Sequence, residues 1–333
     1  MFSPSSRPPG PAPVSDIAFS AALPDSTADA LLRVAVIALV VHAVAHLLSA
    51  IAFATFLIEP YPAWINTPTN LKIMAFGLKW GGQGTVVLGA VAGFAFCASK
   101  FGVRNTLIAF AVSFVLSLGA ELVGTGSGYP FGPYEYSERL GYKILDLVPF
   151  NIPTSWFYLL VGCLAICGRL LPAKDDATSK WWWAFVAGLI LTAYDVSMDP
   201  AMVKTRHWIW HARDFSHSGA VEKVLAEPIF YGMPLTNWLG WLLTGTLVTR
   251  AMLIFAPPSL WAREIAPHKF PLLLYAVNGF LPIAICFSQD MIPAGIIGAL
   301  AMGVPLWMAW RREPASVAGS APSLGRATLT TGD

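Results

Sequence analysis

The sequence predicts an all-α, polytopic integral membrane helical bundle of about eight spans, with seven as the alternative count. Composition is the first observation behind this fold class: of 333 residues, 56% are hydrophobic and only 12% are charged. Soluble globular proteins carry about 25% charged residues, so this chain has too little polar surface to stay in water. The second observation is a series of apolar stretches of about the 20 residues that a membrane-crossing helix needs. They lie at roughly 31–58, 73–97, 104–123, 153–171, 181–198, 234–256, 270–289 and 291–310.

Aromatic and basic residues indicate how these stretches sit in a bilayer. Trp181, Trp182 and Trp183 open the fifth stretch, and Trp307 and Trp310 close the eighth. Such positions are typical of the aromatic belts at membrane interfaces. With eight spans both tails face one side, which carries thirteen of the Lys and Arg residues against eight on the other. This excess predicts that both tails are cytoplasmic and that the chain is a multi-pass protein of the cell's inner membrane.

The apolar stretches define a single transmembrane domain at 29–312. The segments 1–28 and 313–333 are rich in Pro, Ser and Ala and are expected to be disordered tails. The last two stretches meet at Asp290, which predicts a helical hairpin.

The net charge of +2 argues against a nucleic-acid partner. All four cysteines lie inside apolar runs and are interpreted as small buried residues.

Two polar connections, 124–152 and 199–233, keep aromatic residues and prolines among their charges. The first opens with GTGSGYPFGPYEY, whose glycines permit tight turns. Irregular backbone is tolerated at membrane depth only where protein covers it or where it lines a wet cavity. Both connections are therefore predicted to be aromatic-rich re-entrant or capping loops over a cavity.

Three carboxylates lie within or at the ends of the apolar stretches: Glu121, Asp195 and Asp199. A charged side chain in hydrocarbon costs at least about 2.5–3.5 kcal/mol, so such residues are usually functional. Because alternate spans end on the same side, the three acids are expected to converge beneath the two loops. Asp195 and Asp199 share one helix face if the helix continues to Pro200. The alternatives are that Asp199 ends the helix and that Asp195 pairs with a Lys or Arg.

His42 and His46 form HAVAH on the first span, one helical turn apart. Two histidines at this spacing make half of a metal site, but the HExxH pattern is missing and no metal is predicted. The pair is interpreted either as hydrogen-bonded packing inside the bundle or as a proton or water relay.

Three segments in combination resemble the CruF-type family of membrane carotenoid hydratases. They are GYPFGPYEYSERLGYKILDLVPFNIPTSWF, LTAYDVSMDPAMVKTRHWIWH and YGMPLTNWLGW, and the resemblance covers roughly residues 31 to 310. It implies addition of water across the terminal 1,2 double bond of an acyclic carotenoid end, giving a tertiary alcohol. It also implies a lipophilic carotenoid substrate, a membrane lipid environment, neither metal nor redox cofactor, and other carotenoid-pathway enzymes as partners.

The residues themselves suggest how such a reaction would run. An unactivated alkene needs a strong acid, which a carboxylic acid kept protonated by burial or by a second carboxylate can be. Asp195, Asp199 and Glu121 are the candidates. Aromatic faces stabilise a cation by about 0.5–2 kcal/mol per contact. The candidates to line the cation site are Tyr129, Phe131, Tyr134, Glu135, Tyr136, Trp156, Trp208, Trp210 and Asn237. The alternatives are interfacial anchoring for the rings and helix–helix bonding for the amide.

Two other functions fit parts of the pattern. A membrane prenyltransferase of the UbiA type uses two acid-rich motifs to hold magnesium and pyrophosphate, and DVSMD is similar to one of them. A second motif and a basic cluster for pyrophosphate are missing from the sequence. A non-enzymatic carrier or transporter would use the intramembrane acids and histidines as a proton relay.

Overall fold

A computed structural model describes residues 24–211, 227 and 229–314 and arranges them as a helical bundle. In this part of the chain eight helices are long and apolar enough to cross a membrane, which confirms the predicted fold class and span count. They are α1 (Asp25–Thr55), α2 (Pro68–Phe101), α3 (Val103–Ser127), α4 (Asn151–Leu170), α5 (Ala177–Lys204), α6 (Thr236–Phe255), α7 (Phe270–Ser288) and α8 (Ile292–Arg311).

Several helices extend beyond the apolar stretches because polar residues cap them. The side chain of Asp176 accepts a bond from the Ser179 backbone N–H at 2.9 Å and starts α5 ahead of its tryptophans. Helix α1 begins at Asp25, not after residue 28, and an acid in a first helical turn is favourable there. Most of the two predicted tails, 1–23 and 315–333, lies outside the described residues.

Helix α5 does not stop at Pro200 but continues for another turn to Lys204. A proline inside a helix removes one backbone hydrogen bond, and the packed surroundings of α5 tolerate that loss. The interpretation of Asp199 as the end of the helix is therefore wrong. Asp195 and Asp199 lie on one face of a continuous helix, one turn apart.

Helix α4 is buried along almost its whole length and forms the centre of the bundle. Its small residues let neighbouring helices approach closely, as is common inside membranes. A Cβ added to Gly162 would lie 2.7 Å from the Tyr275 Cβ on α7. A Cβ added to Gly168 would lie 2.6 Å from the Ala266 Cβ, so glycine is needed at both contacts.

Helices α5 and α6 also cross at glycines, and this crossing positions the site. A Cβ on Gly188 would lie 2.7 Å from the Thr246 Oγ1, and one on Gly245 would lie 3.2 Å from the Gly188 Cα. The close crossing holds the first turn of α6, with Asn237, against the C-terminal half of α5.

The two aromatic-rich connections meet as a two-stranded ribbon. The short strands are β1 (Tyr134–Tyr136), β2 (Lys143–Ile144), β3 (Val148–Pro149) and β4 (Trp208–Trp210). Strand β1 pairs antiparallel with β4, so that Tyr134 faces Trp210 and Tyr136 faces Trp208. Because side chains alternate along a strand, these four rings share one face. The ribbon is a cap that joins two loops far apart in the sequence.

Glycines fix the start of the cap against the bundle. Gly132 has φ +123, a conformation that favours glycine, and a Cβ there would lie 2.8 Å from the Pro234 Cγ. The ring of Phe131 is wedged between Gly124 and Gly240, where an added Cβ would lie within 2.7 Å and 2.5 Å of it. The Thr236 hydroxyl donates to the Phe131 carbonyl at 2.9 Å. The glycines predicted to permit turns thus also permit close packing.

Candidate active site

One side-chain amide bridges the two aspartates of α5. The Asn237 Nδ2 donates to the Asp195 Oδ2 at 2.8 Å and to the Asp199 Oδ2 at 2.6 Å. Both carboxyls are almost completely buried. Asn237 thus contacts two acids and joins α5 to α6. Asp195 is paired with this amide and not, as one alternative held, with a Lys or Arg.

The other oxygen of Asp199 accepts bonds from the cap. The indole Nε1 of Trp208 donates to its Oδ1 at 2.7 Å, and that of Trp210 donates at 3.1 Å. These indoles reach the acid because β4 turns both rings toward the bundle. By contrast, the Asp195 Oδ1 is buried without a hydrogen-bond partner among the described residues. The two aspartates therefore differ: Asp199 has three donors and Asp195 has one.

Glu121 on α3 is held by the other strand of the ribbon. The Tyr134 hydroxyl donates to its Oε2 at 2.5 Å and the Tyr136 hydroxyl donates at 2.7 Å. The indole of Trp156 on α4 lies in the wall of the same cavity. Two hydroxyl donors at one oxygen are an arrangement that suits a carboxylate.

Both phenols of β1 stay protonated at physiological pH. Burial, followed by the negative charge of the Glu121 carboxyl, raises the pKa of Tyr134 and of Tyr136 well above the ordinary value of a tyrosine. Neither hydroxyl therefore loses its proton in the physiological range, and both bonds to Glu121 persist.

The acids and rings enclose an inner cavity of about 140 Å³. Its walls include Glu121, Asp199 and Asn237 together with the aromatic residues Phe131, Tyr134, Tyr136, Trp156, Trp208, Trp210 and Trp241. Such a cavity is large enough to hold water beside the acids. The structure brings the three predicted acids together, but Asp195 lies behind the cavity wall.

Two predicted lining residues do not join this group. Glu135 sits between the two tyrosines of β1, so its side chain projects from the opposite face, where it is 63% exposed and lies 3.7 Å from the His211 Nε2. Tyr129 is 58% exposed and is not part of the cavity wall. The expectation that Glu135 lines the site is corrected by strand alternation.

Glu135→Gln is expected to leave activity and stability almost unchanged. Its contact with His211 is an exposed pair, and such pairs contribute about 0–1 kcal/mol. The free energy of unfolding should change by less than about 0.5 kcal/mol, and product yield should stay within about a factor of two. Thermal unfolding in detergent and pigment yield in cells measure the two quantities. A large loss of product with intact folding would contradict this placement.

The two histidines of α1 have different surroundings. His42 is buried, its Nδ1–H donates to the Thr85 carbonyl at 2.8 Å, and its Nε2 lies 3.3 Å from the Asn278 side chain. His46 lines the inner cavity, and its Nδ1 has no partner among the described residues. Its ring centroid is 4.4 Å from that of His42. The pair therefore divides into a packed histidine and one that faces the cavity.

Among the lining residues of the inner cavity that sequence reasoning missed are Tyr194, Trp241 and Asn278. Asn278 could have been predicted from the sequence, because a polar amide in the middle of an apolar span is costly and such residues are commonly functional. Trp241 stacks on Trp156 with ring centroids 5.0 Å apart, and tryptophans in apolar runs carry no such signal. Tyr194 directly precedes Asp195 and could not be separated from ordinary core residues.

An outer cavity of about 590 Å³ adjoins the inner one. Its walls come mainly from α1, α2 and the segment between them and are predominantly apolar, and it shares His46, Tyr158, Tyr194 and Asn278 with the inner cavity. No Lys or Arg of the described residues lines either cavity. In the same part of the chain, no three His, Cys, Asp or Glu side chains form a group suited to a metal ion.

The fold and the site define a polytopic membrane protein that buries acids and aromatic rings beside an apolar cavity. The sequence model of a family described as carotenoid biosynthesis protein matches residues 81–305. The chain belongs to this family, in agreement with the resemblance drawn from its motifs.

A curated relative gives a more specific comparison. The chain is 30% identical over 152 residues to the bisanhydrobacterioruberin hydratase of Haloarcula japonica. The match covers 46% of this chain and 45% of that protein, so it spans less than half of each. No solved structure matches the chain.

Proposed function

We propose that this protein is a carotenoid hydratase that adds water across the terminal 1,2 double bond of an acyclic carotenoid end. The observation that carries the proposal is the pair Asp195 and Asp199, bound to one amide nitrogen at the wall of a small aromatic cavity. Membership of the carotenoid biosynthesis family and the similarity to a curated hydratase support the choice of substrate and reaction.

The aspartate pair supplies the proton. Two carboxyls that both reach the same Nδ2 are close neighbours, and like charges held that close in a buried site do not both ionise. One proton therefore stays on the pair. Asp199 faces the cavity and delivers it, whereas Asp195 lies behind and keeps its neighbour protonated. The proton forms the C–H bond at C-2, and loss of the π bond leaves a tertiary cation at C-1.

The rings of the inner cavity stabilise this cation and exclude bulk water. Tyr134 and Trp210 lie with ring centroids 5.0 Å apart, and Trp156 stacks on Trp241. Cation–π contacts contribute about 0.5–2 kcal/mol each. A substrate end that fills part of this cavity leaves room for few waters, so the cation meets a positioned nucleophile and not bulk solvent.

Glu121 accepts the proton that the attacking water releases. Its carboxyl lines the cavity and accepts bonds from two phenol hydroxyls, which favour the charged form. The water oxygen forms the C–O bond at C-1 and gives up one proton to Glu121. Transfer of that proton through cavity water to the aspartate pair restores the starting state. The sum is one water added and no redox change.

The prenyltransferase alternative is not favoured. Its substrate carries a pyrophosphate, and the residues described around both cavities include no Lys or Arg to bind one. The acids are instead engaged by amide, indole and phenol donors.

The orientation in the membrane follows from the basic residues. Both tails are placed in the cytoplasm and the chain in the cell's inner membrane, with the cap and the acids toward the opposite face. Labelling of a single cysteine added to either tail, in intact cells and in inverted vesicles, measures this orientation. Labelling in intact cells would reverse it.

The direct test is expression in a bacterium that accumulates an acyclic carotenoid, followed by mass analysis of the pigment. The expected result is a gain of one water per modified end. Growth in water enriched in the heavy oxygen isotope should place that isotope in the new hydroxyl. Addition of a chelator to isolated membranes should leave the reaction unchanged. Unaltered pigment in membranes that contain the folded protein would contradict the proposal.

A further inference from the structure

The outer cavity lies where a long apolar molecule could approach the acids from the side. Its walls include Phe53 and Phe56 on and after α1, Trp64 in the connecting segment, and Ile73 and Met74 on α2. Trp64 and Ile73 are 57% and 64% exposed, so this side of the cavity opens to the outside of the helical bundle. At its other end the cavity shares its wall with the acid-lined inner cavity.

Bare backbone forms one wall of the outer cavity. Gly77 and Gly81 lie one turn apart on α2 and both line it. A Cβ added to either glycine would meet nothing within 4 Å, so the space beside them is unfilled. Helix interiors usually avoid glycine, which costs about 1 kcal/mol relative to alanine. Here the missing side chains leave a smooth channel along the helix.

His46 marks the point where the two cavities meet. It is 7% exposed, lines both cavities, and its Nδ1 has no partner within the described part of the chain. An unsatisfied buried polar group costs about 1–3 kcal/mol, which a bound water would relieve. The apolar channel therefore ends at a polar atom suited to hold a water beside the acids.

We propose that the outer cavity binds the polyene of the carotenoid, which enters between α1 and α2 and passes Gly77 and Gly81 before its end reaches Asp199. This inference rests on the proposed function and adds the binding site and route of the substrate chain. Gly81 determines specificity, because a larger side chain there obstructs a long, stiff polyene and leaves the acids untouched.

Gly81→Leu is the discriminating variant, and Gly84→Leu is its matched control. Gly84 lies on the same helix, also with nothing within 4 Å of an added Cβ, but it does not line either cavity. Both changes improve helix propensity, so neither should unfold α2. Gly81→Leu should lower hydration of a full-length acyclic carotenoid by about tenfold or more and leave a short isoprenoid alkene with the same end group within about twofold. Gly84→Leu should affect neither substrate.

A binding measurement tests the channel without turnover. Ser49→Cys places a thiol in the outer cavity, and the four native cysteines are buried. Val115→Cys places one on a surface of α3 that is 62% exposed and lines neither cavity. Added acyclic carotenoid should slow modification by a lipophilic maleimide at position 49 at least about threefold and leave position 115 unchanged; membrane lipid alone should not protect.

The outcomes separate the two proposals. Protection at position 49 without hydration would keep the channel and overturn the hydratase. Hydration with no protection, or with equal activity of Gly81→Leu and Gly84→Leu on the full-length carotenoid, would overturn the channel and keep the hydratase. Equal loss on long and short substrates in Gly81→Leu would also overturn the channel as a determinant of specificity.

Discussion

Asp199→Asn should lower carotenoid hydration by about 10²–10⁴-fold, the usual contribution of a positioned general acid. The side chain keeps its size, and its remaining carbonyl oxygen can still accept from Trp208 and Trp210. What it loses is the proton that the alkene needs. Pigment mass and yield in a carotenoid-accumulating bacterium measure the effect, and membrane-inserted protein is quantified in the same cells.

The control for Asp199→Asn must separate chemistry from packing. In the variant, an amide NH₂ at position 199 faces the Asn237 NH₂, and two donors then meet. Trp210→Phe is the matched control, because it removes one donor to the same carboxyl and keeps both an aromatic ring and the acid. It should lose some thermal stability and keep much more hydration than Asp199→Asn. Equal loss of hydration in the two variants would show that position 199 is structural.

Glu121→Gln should lower hydration by about 10²-fold, because the amide cannot take the proton released by water. Its carbonyl oxygen can still accept from Tyr134 and Tyr136, so the cap should remain in place. The loss should appear in kcat with KM little changed, which is the signature of an interaction made only in the transition state. Assays in lipid vesicles over a range of carotenoid concentrations separate the two.

Tyr134→Phe is the matched comparison for Glu121→Gln. It removes one of the donors to the same oxygen and keeps both the ring and the carboxyl. A loss much smaller than that of Glu121→Gln is expected, since the Tyr136 hydroxyl still donates to the carboxyl. If both variants lost activity equally, the carboxyl would act only through the cap, and the base role would fail.

Hydropathy was sufficient to predict the helices because a bilayer sets both their length and their composition. The ends were less predictable, since caps such as Asp176 and the continuation of α5 through Pro200 depend on local and tertiary contacts. The convergence of Glu121, Asp195 and Asp199 followed from the alternation of span direction. The position of Asp195 behind the cavity wall could not be predicted in this way. Asp195 and Asp199 share one helix face, and a single helical turn separates the residue that lines the cavity from the one that does not.

The ribbon between β1 and β4 was outside the reach of sequence reasoning. Its two strands are separated by two transmembrane helices, and three-residue strands carry no reliable local pattern. Strand alternation would have placed Glu135 opposite its neighbouring tyrosines had the strand been recognised. The structure places the rings of the second strand in the wall of the inner cavity, but their role as indole donors to Asp199 was not foreseen.

The pairing of β1 with β4 joins the two loops into one cap over the acids, so the loops cannot open independently. Each strand also anchors a different acid, the phenols holding Glu121 and the indoles Asp199. Displacing either loop would therefore remove hydrogen-bond donors from both carboxyls at once and expose both to water. If the proposed function holds, a substrate that leaves the cap in place enters and leaves in the plane of the membrane, and its alcohol product returns to the lipid.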